Sequence, residues 1–346
     1  MLNYALIKIL TLTFLSFSLS LLLTPFLTNF LYRYRLGKNI RNDGTTPIYS
    51  KLHAQKAGTP TMGGALVWGT TLLLVFIFWF LDRKLGFEYF HRFNFLTRKE
   101  TLLPVGAFFG ASLVGLVDDF LDVRQKGHKG RGLSFRFKVW LYAFVAIIGA
   151  WWFYFKLDFT SIRIPFLGNF DLGWWFIPFF ILVVVGVSFS VDLADGLDGL
   201  AGGVLMIAFF CYTIIAFIQG RENLATLISV VCGSLLAFLW FNVFPARFFM
   251  GDTGAMGMGV LLAIVAFLTN TVFLLFFIGF IFFIEAASTI MQIFSKRFFG
   301  KKIFLSTPIH HHFEALGWPE TKVTMRFWII SAVMGIFGVI IYLLDK

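Results

Sequence analysis

Ten apolar runs, most of them long enough to cross the hydrocarbon core of a bilayer, divide this 346-residue chain from end to end. They lie near 6–30, 63–81, 102–117, 138–155, 174–191, 201–218, 224–244, 257–269, 272–294 and 326–344, the eighth short and the ninth long. Inside lipid a backbone must close its own hydrogen bonds, and a helix does so within one segment. The expected fold is therefore all-α: a polytopic integral membrane protein of ten transmembrane helices. Composition excludes a soluble alternative, since 58% of residues are hydrophobic and only 14% charged, against about a quarter in soluble domains. No repeat, low-complexity tail or large loop interrupts the pattern, so residues 1–346 read as a single transmembrane domain. The first run is too long for a removable signal peptide and lacks a small-residue cleavage site. Both cysteines, Cys211 and Cys232, fall inside apolar runs, which implies no disulfide framework.

The loops after the odd-numbered runs carry 19 Lys and Arg, with Lys138 and Arg326 counted at their margins, and those after the even-numbered runs carry 8. The positive-inside rule then places the odd loops in the cytosol and both termini outside. Basic loops of this kind attract anionic lipid, and they equally suit a phosphorylated substrate. No basic helix or aromatic platform stands clear of the membrane, so nucleic acid is not an expected partner.

Seven of the twelve aspartates fall into three of these odd loops: Asp118, Asp119 and Asp122; Asp192, Asp195 and Asp198; and Asp252. Carboxylates at a membrane edge are costly and tend to face a polar cavity, pair with a cation or carry function. Two of them about 6 Å apart repel by roughly 3 kcal/mol at an effective dielectric near 20, so the group calls for a cation. Adjacent carboxylates suit Mg²⁺, which takes oxygen ligands and keeps waters or substrate phosphates in its shell. Arg124, Lys126, Lys129, Arg131, Arg136 and Lys138 follow, enough to hold an anion near a metal. The spacing of Asp192, Asp195 and Asp198 would put them on one helical stripe. A single aspartate there would be an ordinary helix cap; three are not.

Asp252 sits in a glycine-rich turn, whose backbone can approach phosphate closely. His310, His311 and His312 are consecutive, and neighbouring side chains diverge, so all three cannot converge on one metal. With no cysteine nearby, closed zinc ligation is not expected there, and hydrogen bonds to phosphate or a base fit better. Glu285, inside the ninth run, reads as a buried acid, neutral or bonded to another span. The aspartate clusters, Lys56–Gly64, Asn242 with Pro245–Asp252, and Pro308–Glu314 share the odd-loop face and are expected to form one composite cytosolic site.

The segments Lys56-Ala-Gly-Thr-Pro-Thr61-Met-Gly-Gly64, Asp118-Asp119, Asp195-Gly-Leu-Asp198-Gly-Leu-Ala201, Pro245-Ala-Arg-Phe-Phe-Met-Gly-Asp252-Thr-Gly254 and Pro308-Ile-His-His-His-Phe-Glu314 resemble the phospho-N-acetylmuramoyl-pentapeptide-transferases. These are a branch of the polyprenyl-phosphate N-acetylhexosamine-1-phosphate transferases. The likeness runs from about residue 33 to the C-terminus, and the Thr-Pro-Thr-Met-Gly-Gly and Pro-Ile-His-His-His segments are its branch-specific parts. It implies a bacterial inner-membrane enzyme with cytosolic active-site loops that makes lipid I from UDP-N-acetylmuramoyl-pentapeptide and undecaprenyl phosphate. It also implies Mg²⁺ dependence, a homodimer and a ninth helix that breaks.

By position, the resemblance makes Asp252 a metal ligand, with Asp118 and Asp119 positioning the polyprenyl phosphate or sharing the metal. Lys56, Thr61, Lys138, Asn242, Phe249, Gln292, His310, His311 and His312 would bind nucleotide and pyrophosphate, with Asp195 and Asp198 completing the pocket. Phe189 and Asp192 stand where the family usually has Asn, and Ala255 where it has Ser. Three other readings compete. An N-acetylglucosamine-1-phosphate transferase would use the same metal chemistry without needing the triple-histidine segment. An intramembrane prenyltransferase fits Asp118-Asp119-x-x-Asp122 alone. A transporter would place its carboxylates nearer the midplane.

Overall fold

The computed structural model describes residues 2–37, 53, 56–85, 88–98, 100–128 and 132–345; Lys129 and Arg131, counted above in the basic stretch, lie outside these residues. The described chain is helical almost throughout. In order it forms α1 (Leu2–Arg33), α2 (Ala65–Leu85), α3 (Glu88–Phe93), α4 (Leu102–Val123) and α5 (Phe135–Lys156). A hairpin of β1 (Ser161–Ile164) and β2 (Gly168–Asp171) follows. Then come α6 (Phe176–Ala194), α7 (Leu200–Ile218), α8 (Glu222–Asn242), α9 (Asp252–Leu268), α10 (Leu275–Ile278), α11 (Phe280–Phe299), α12 (Ile309–Ala315) and α13 (Glu320–Leu344).

Every apolar run is helical, but the tally of crossings is not ten by length. Among the described residues, α1, α2, α4–α8 and α13 are the 8 helices long and apolar enough to span. The long ninth run is two helical pieces, Val272–Ile278 and Phe280–Phe299, bent by 85° at Gly279. The short eighth run is α9, whose 17 residues reach about 26 Å, less than a hydrocarbon core of about 30 Å. Its length is not set by lipid, because every residue from Thr253 to Leu268 is buried in protein.

Helix α9 is the axis of the molecule, packed against α4 and α6. Glycine allows that closeness: a methyl at Gly257 would collide with Ser112, and one at Gly259 with the backbone of Ser188. Small residues at contacts are how membrane helices approach one another when lipid gives no hydrophobic drive. Ser188 Oγ donates to Met256 O at 2.9 Å across the same contact.

Two sequence expectations change here. Asp118, Asp119 and Asp122 are in the last two turns of α4 rather than in a loop, because the helix continues beyond its apolar stretch to Val123. Asp192, Asp195 and Asp198 do not form one helical stripe. Helix α6 ends at Ala194, Asp195 is its C-cap, and Asp198 lies in a turn closed by Gly199 at φ +75°. The turn aims the three carboxylates differently.

At the far end of the bundle the hairpin holds the foot of α13. Arg163 Nε meets Asp345 Oδ2 at 2.6 Å, the Phe166 amide donates to Asp345 Oδ1 at 2.7 Å, and the Arg163 amide donates to Asn270 Oδ1 at 3.1 Å. The short Ser161–Asp171 ladder, with Ile162 opposite Phe170, was not anticipated from sequence.

Candidate active site

The segments singled out in the sequence meet at the end of the bundle opposite that hairpin. The glycine-rich turn before α9 organises them. Gly63 and Gly64 amides donate to Phe249 O and Met250 O at 2.8 and 2.9 Å, and the Phe249 amide donates to Pro60 O at 2.7 Å. The Thr61 segment and the Phe249–Asp252 segment are thereby zipped together. Gly251, at φ +72°, leaves room for Asp119 Oδ2 and Thr61 Oγ1 where a side chain would stand.

Asp119 is buried and serves the start of α9: Oδ1 accepts from the Asp252 amide at 3.2 Å and Oδ2 from the Thr253 amide at 3.0 Å. Amides at a helix N-terminus favour an anion, and Asp119 supplies it from another helix. Asp195 Oδ2 accepts from the Gly251 amide at 3.1 Å and so holds the same turn from α6.

Asp118 faces Asp252 across the ammonium of Lys138. Lys138 Nζ lies 2.6 Å from Asp118 Oδ2 and 2.5 Å from Asp252 Oδ2, while the Leu133 amide donates to Asp118 Oδ1 at 2.6 Å. One cation thus sits between two carboxylates from different helices. The two oxygens that meet it, Asp118 Oδ2 and Asp252 Oδ2, are carboxylate oxygens, hard donors that fit Mg²⁺ better than a nitrogen- or sulfur-seeking metal.

Lys138 also lines a cavity of about 750 Å³ between α5, α6 and the broken helix α11. Its walls are mostly apolar, with Leu182, Phe282 and Ile293 among them, and Asp192 and Phe189 line it as well. Two of the three positions that depart from the resembled pattern, Phe189 and Asp192, therefore border this groove, while Ala255 is buried inside α9. Phe189 packs on Phe135 and Tyr142, with ring centroids 5.4 and 5.9 Å apart.

A second group lies on the other side of the turn. Lys56 Nζ reaches Asp198 Oδ1 at 2.6 Å and Glu320 Oε1 at 2.5 Å, and stands 5.8 Å from the centre of the Phe249 ring. Asp198 Oδ2 accepts from the Ala246 amide at 3.0 Å, and its own amide donates to Glu320 Oε1 at 2.6 Å. Asn242 joins two segments, accepting from the Gly199 amide at 3.0 Å and donating to Phe248 O at 2.9 Å. Glu320 was missed as a site residue; it opens α13 after Pro319, where an acidic residue reads as ordinary helix-start chemistry.

The three consecutive histidines diverge on α12, as expected. His310 is wholly buried, with Nδ1 3.0 Å from Glu285 Oε2, a close approach without hydrogen-bond alignment. Its Nε2 abuts Gly196 in the Asp195–Asp198 turn, where no side chain would fit. His311 Nδ1 lies 2.7 Å from Glu314 Oε2, and His53 Nε2 lies 3.2 Å from the same oxygen. His312 Nδ1 accepts from the Leu305 amide at 3.2 Å. Gln292 also engages this segment, donating to Phe304 O and accepting from the Ile303 and Phe304 amides. Gln292 and the Nδ1 atom of His312 thus both engage residues 303–305.

Burial, with His310 alongside, pushes the His311 imidazole down to about 3. Burial alone would raise the Glu314 carboxyl, but hydrogen bonds from His311 and His53 outweigh it and hold it at about 2. At neutral pH the pair is therefore a neutral ring beside a carboxylate.

Residues 101–270 match the family model of glycosyl transferase family 4. Over most of its length the chain is similar to proteins named phospho-N-acetylmuramoyl-pentapeptide-transferase. It is 36% identical over 337 residues to that of Chloroflexus aurantiacus, covering 94% of this chain and 86% of the relative. It is 38% identical over 342 residues to that of Desulforapulum autotrophicum (93% and 89%). It is 38% identical over 327 residues to that of Clostridium perfringens (94% and 96%).

Proposed function

Since the chain belongs to the phospho-N-acetylmuramoyl-pentapeptide-transferase family, we propose that its chemistry is carried out where Lys138 joins Asp118 to Asp252 beside the apolar groove. The enzyme transfers phospho-N-acetylmuramoyl-pentapeptide from UDP-N-acetylmuramoyl-pentapeptide to undecaprenyl phosphate, giving lipid I and UMP for peptidoglycan synthesis. The observation that carries the site assignment is a groove of about 750 Å³, apolar enough for a polyprenyl chain, that includes the Lys138 ammonium bridging both carboxylates.

The polyprenyl tail lies in that groove with its phosphate at Lys138. A phosphate oxygen attacks the sugar-linked phosphorus of the UDP-sugar; its bond to the bridging oxygen breaks, and UMP leaves with the electron pair. The attacking phosphate is already anionic near neutral pH, so Asp118 is a positioner rather than a strong base. Asp252 and Asp118 would hold Mg²⁺, which supplies charge neutralisation for the pyrophosphate. Asp119, its oxygens engaged by the amides of residues 252 and 253, fixes the turn on which Asp252 stands.

The nucleotide enters on the Lys56 side. Phe249 offers a ring face to the base, and Lys56 and Asp198 offer charge and hydrogen bonds. Asp195, Asn242 and His310 shape the turns behind them. The loops at this end face the cytosol, the termini face outside, and the enzyme works in the bacterial inner membrane, as the Lys and Arg distribution supports. The homodimer stays part of the same reading, resting on family likeness.

Asp252→Asn keeps the shape of the turn and removes the charge. Measured as UMP released from UDP-N-acetylmuramoyl-pentapeptide and undecaprenyl phosphate with Mg²⁺, turnover is expected to vanish; full retained turnover would remove Asp252 from the site.

A further inference from the structure

Outside the carboxylate–lysine network lies a second group of metal-type donors: His53 Nε2, His311 Nδ1 and a Glu314 oxygen, all within 4.8 Å of one another. All three side chains are buried, at 2%, 7% and 7% exposure. They come from two segments, since His53 and Glu314 are 261 residues apart. The sequence expectation that consecutive histidines cannot converge holds, because only His311 of the three points here; the second imidazole is supplied by His53.

We propose that His53, His311 and Glu314 form a binding site for a borderline divalent metal, Zn²⁺ first, separate from the Asp118–Asp252 position. Two imidazoles and one carboxylate are an established three-ligand set for zinc, leaving the fourth tetrahedral position for water. Zinc bonds of about 2.0–2.1 Å in tetrahedral geometry place ligand atoms roughly 3.3 Å apart. The Glu314–His311 and Glu314–His53 separations are 2.7 and 3.2 Å, and all three donor atoms lie within 4.8 Å of one another, so an ion would seat between them by drawing the two imidazoles together around the carboxylate. Nitrogen donors and small ligand number exclude Mg²⁺ and Ca²⁺, which seek six or more oxygens.

The site would act as a staple. The Lys56 amide donates to His53 O at 2.9 Å, so His53 opens the turn that carries Lys56. His311 and Glu314 belong to α12, which also carries His310 against the Asp195–Asp198 turn. A metal here would fix the Lys56 turn to α12 behind the nucleotide side without touching the reacting phosphates.

The test uses the full chain in detergent, stripped with a chelator, exposed to Zn²⁺ in a large excess of Mg²⁺ and then desalted. One Zn²⁺ per chain and a raised melting temperature are expected, with Co²⁺ in its place giving the visible absorption of a tetrahedral nitrogen/oxygen site. Glu314→Ala and His53→Ala should lose the ion, and Asp252→Asn should keep it. Wild-type protein that retains no Zn²⁺ overturns the proposal, whatever the variants do. So does Zn²⁺ that survives both Glu314→Ala and His53→Ala, or that is lost in Asp252→Asn.

Discussion

Lys138 concentrates the charge of the proposed site in one side chain. It neutralises Asp118 and Asp252 together, so it occupies the ground that a divalent ion would share. Removing it should separate two effects that usually move together. In Lys138→Met the carboxylates lose their competing cation, so Mn²⁺, followed by electron paramagnetic resonance, should bind more tightly than to wild type. On the proposed reading the lipid phosphate also loses its partner, so turnover at saturating Mg²⁺ should fall by about 100-fold or more, the loss typical of one oriented charge-stabilising group. Weaker Mn²⁺ binding in this variant would mean that Lys138 supports the metal rather than competing with it.

The His311–Glu314 pair gives a pH prediction at the same scale. Glu314 titrates near 2 when folded against 4.5 ordinarily, so its contribution is complete above about 4.5 and is lost as pH falls toward 2. His311 titrates near 3 against 6.5, so the folded state resists its proton and stability also declines as pH falls from about 6.5 toward 3. Melting temperature in metal-free buffer should therefore fall steadily from pH 7 to pH 4. In Glu314→Gln the part of the fall below about pH 4.5 should flatten. A wild-type melting temperature unchanged across the range would show that neither group is held as described.

Among the elements, α9 is the one whose surroundings matter most. Gly259 meets the backbone of Ser188, which cannot rotate away, so Gly259→Val should cost about 1–3 kcal/mol of overpacking and lower the melting temperature. Gly106 in α4 has nothing within 4 Å of an added methyl, so Gly106→Ala should melt no lower than wild type. Equal melting of the two variants would show that α9 is not tightly held.

How far these elements can be read from sequence depends on what encodes them. The apolar runs give every long helix, because length and hydropathy are local properties. The ends are less legible: Asp118–Asp122 look like a loop by polarity, yet nothing there stops a helix, and α4 runs through them. The Asp192–Asp198 spacing looks helical, yet the turn at Gly199 breaks it. The motif residues Lys56, Asp198, Asp118 and Asp252 can be named in advance, whereas their pairings cannot. Lys56 with Glu320, or His53 with Glu314, are contacts between distant segments that no local pattern records.

At the scale of the molecule, five segments far apart in sequence converge at one end, and that geometry demands that they share a side of the membrane. In a background with Cys211 and Cys232 replaced, single cysteines at the exposed positions Arg124 and Lys301 should react with an impermeant maleimide only from the cytosolic side. A cysteine at Phe166, exposed in the hairpin, should react only from outside. Labelling of Arg124→Cys and Lys301→Cys from opposite sides would dismantle the composite site.

Helix α13 is pinned at both ends. Asp345 is clasped by Arg163 at its foot, and Glu320 grips Lys56 at its head, about 37 Å away along 25 residues. A tag fused directly behind Lys346 would pull on that clasp, and the strain has a rigid rod along which to reach Lys56 and the proposed nucleotide side. Purification handles on this enzyme belong after a slack linker, or activity lost to the handle will be mistaken for activity lost to detergent.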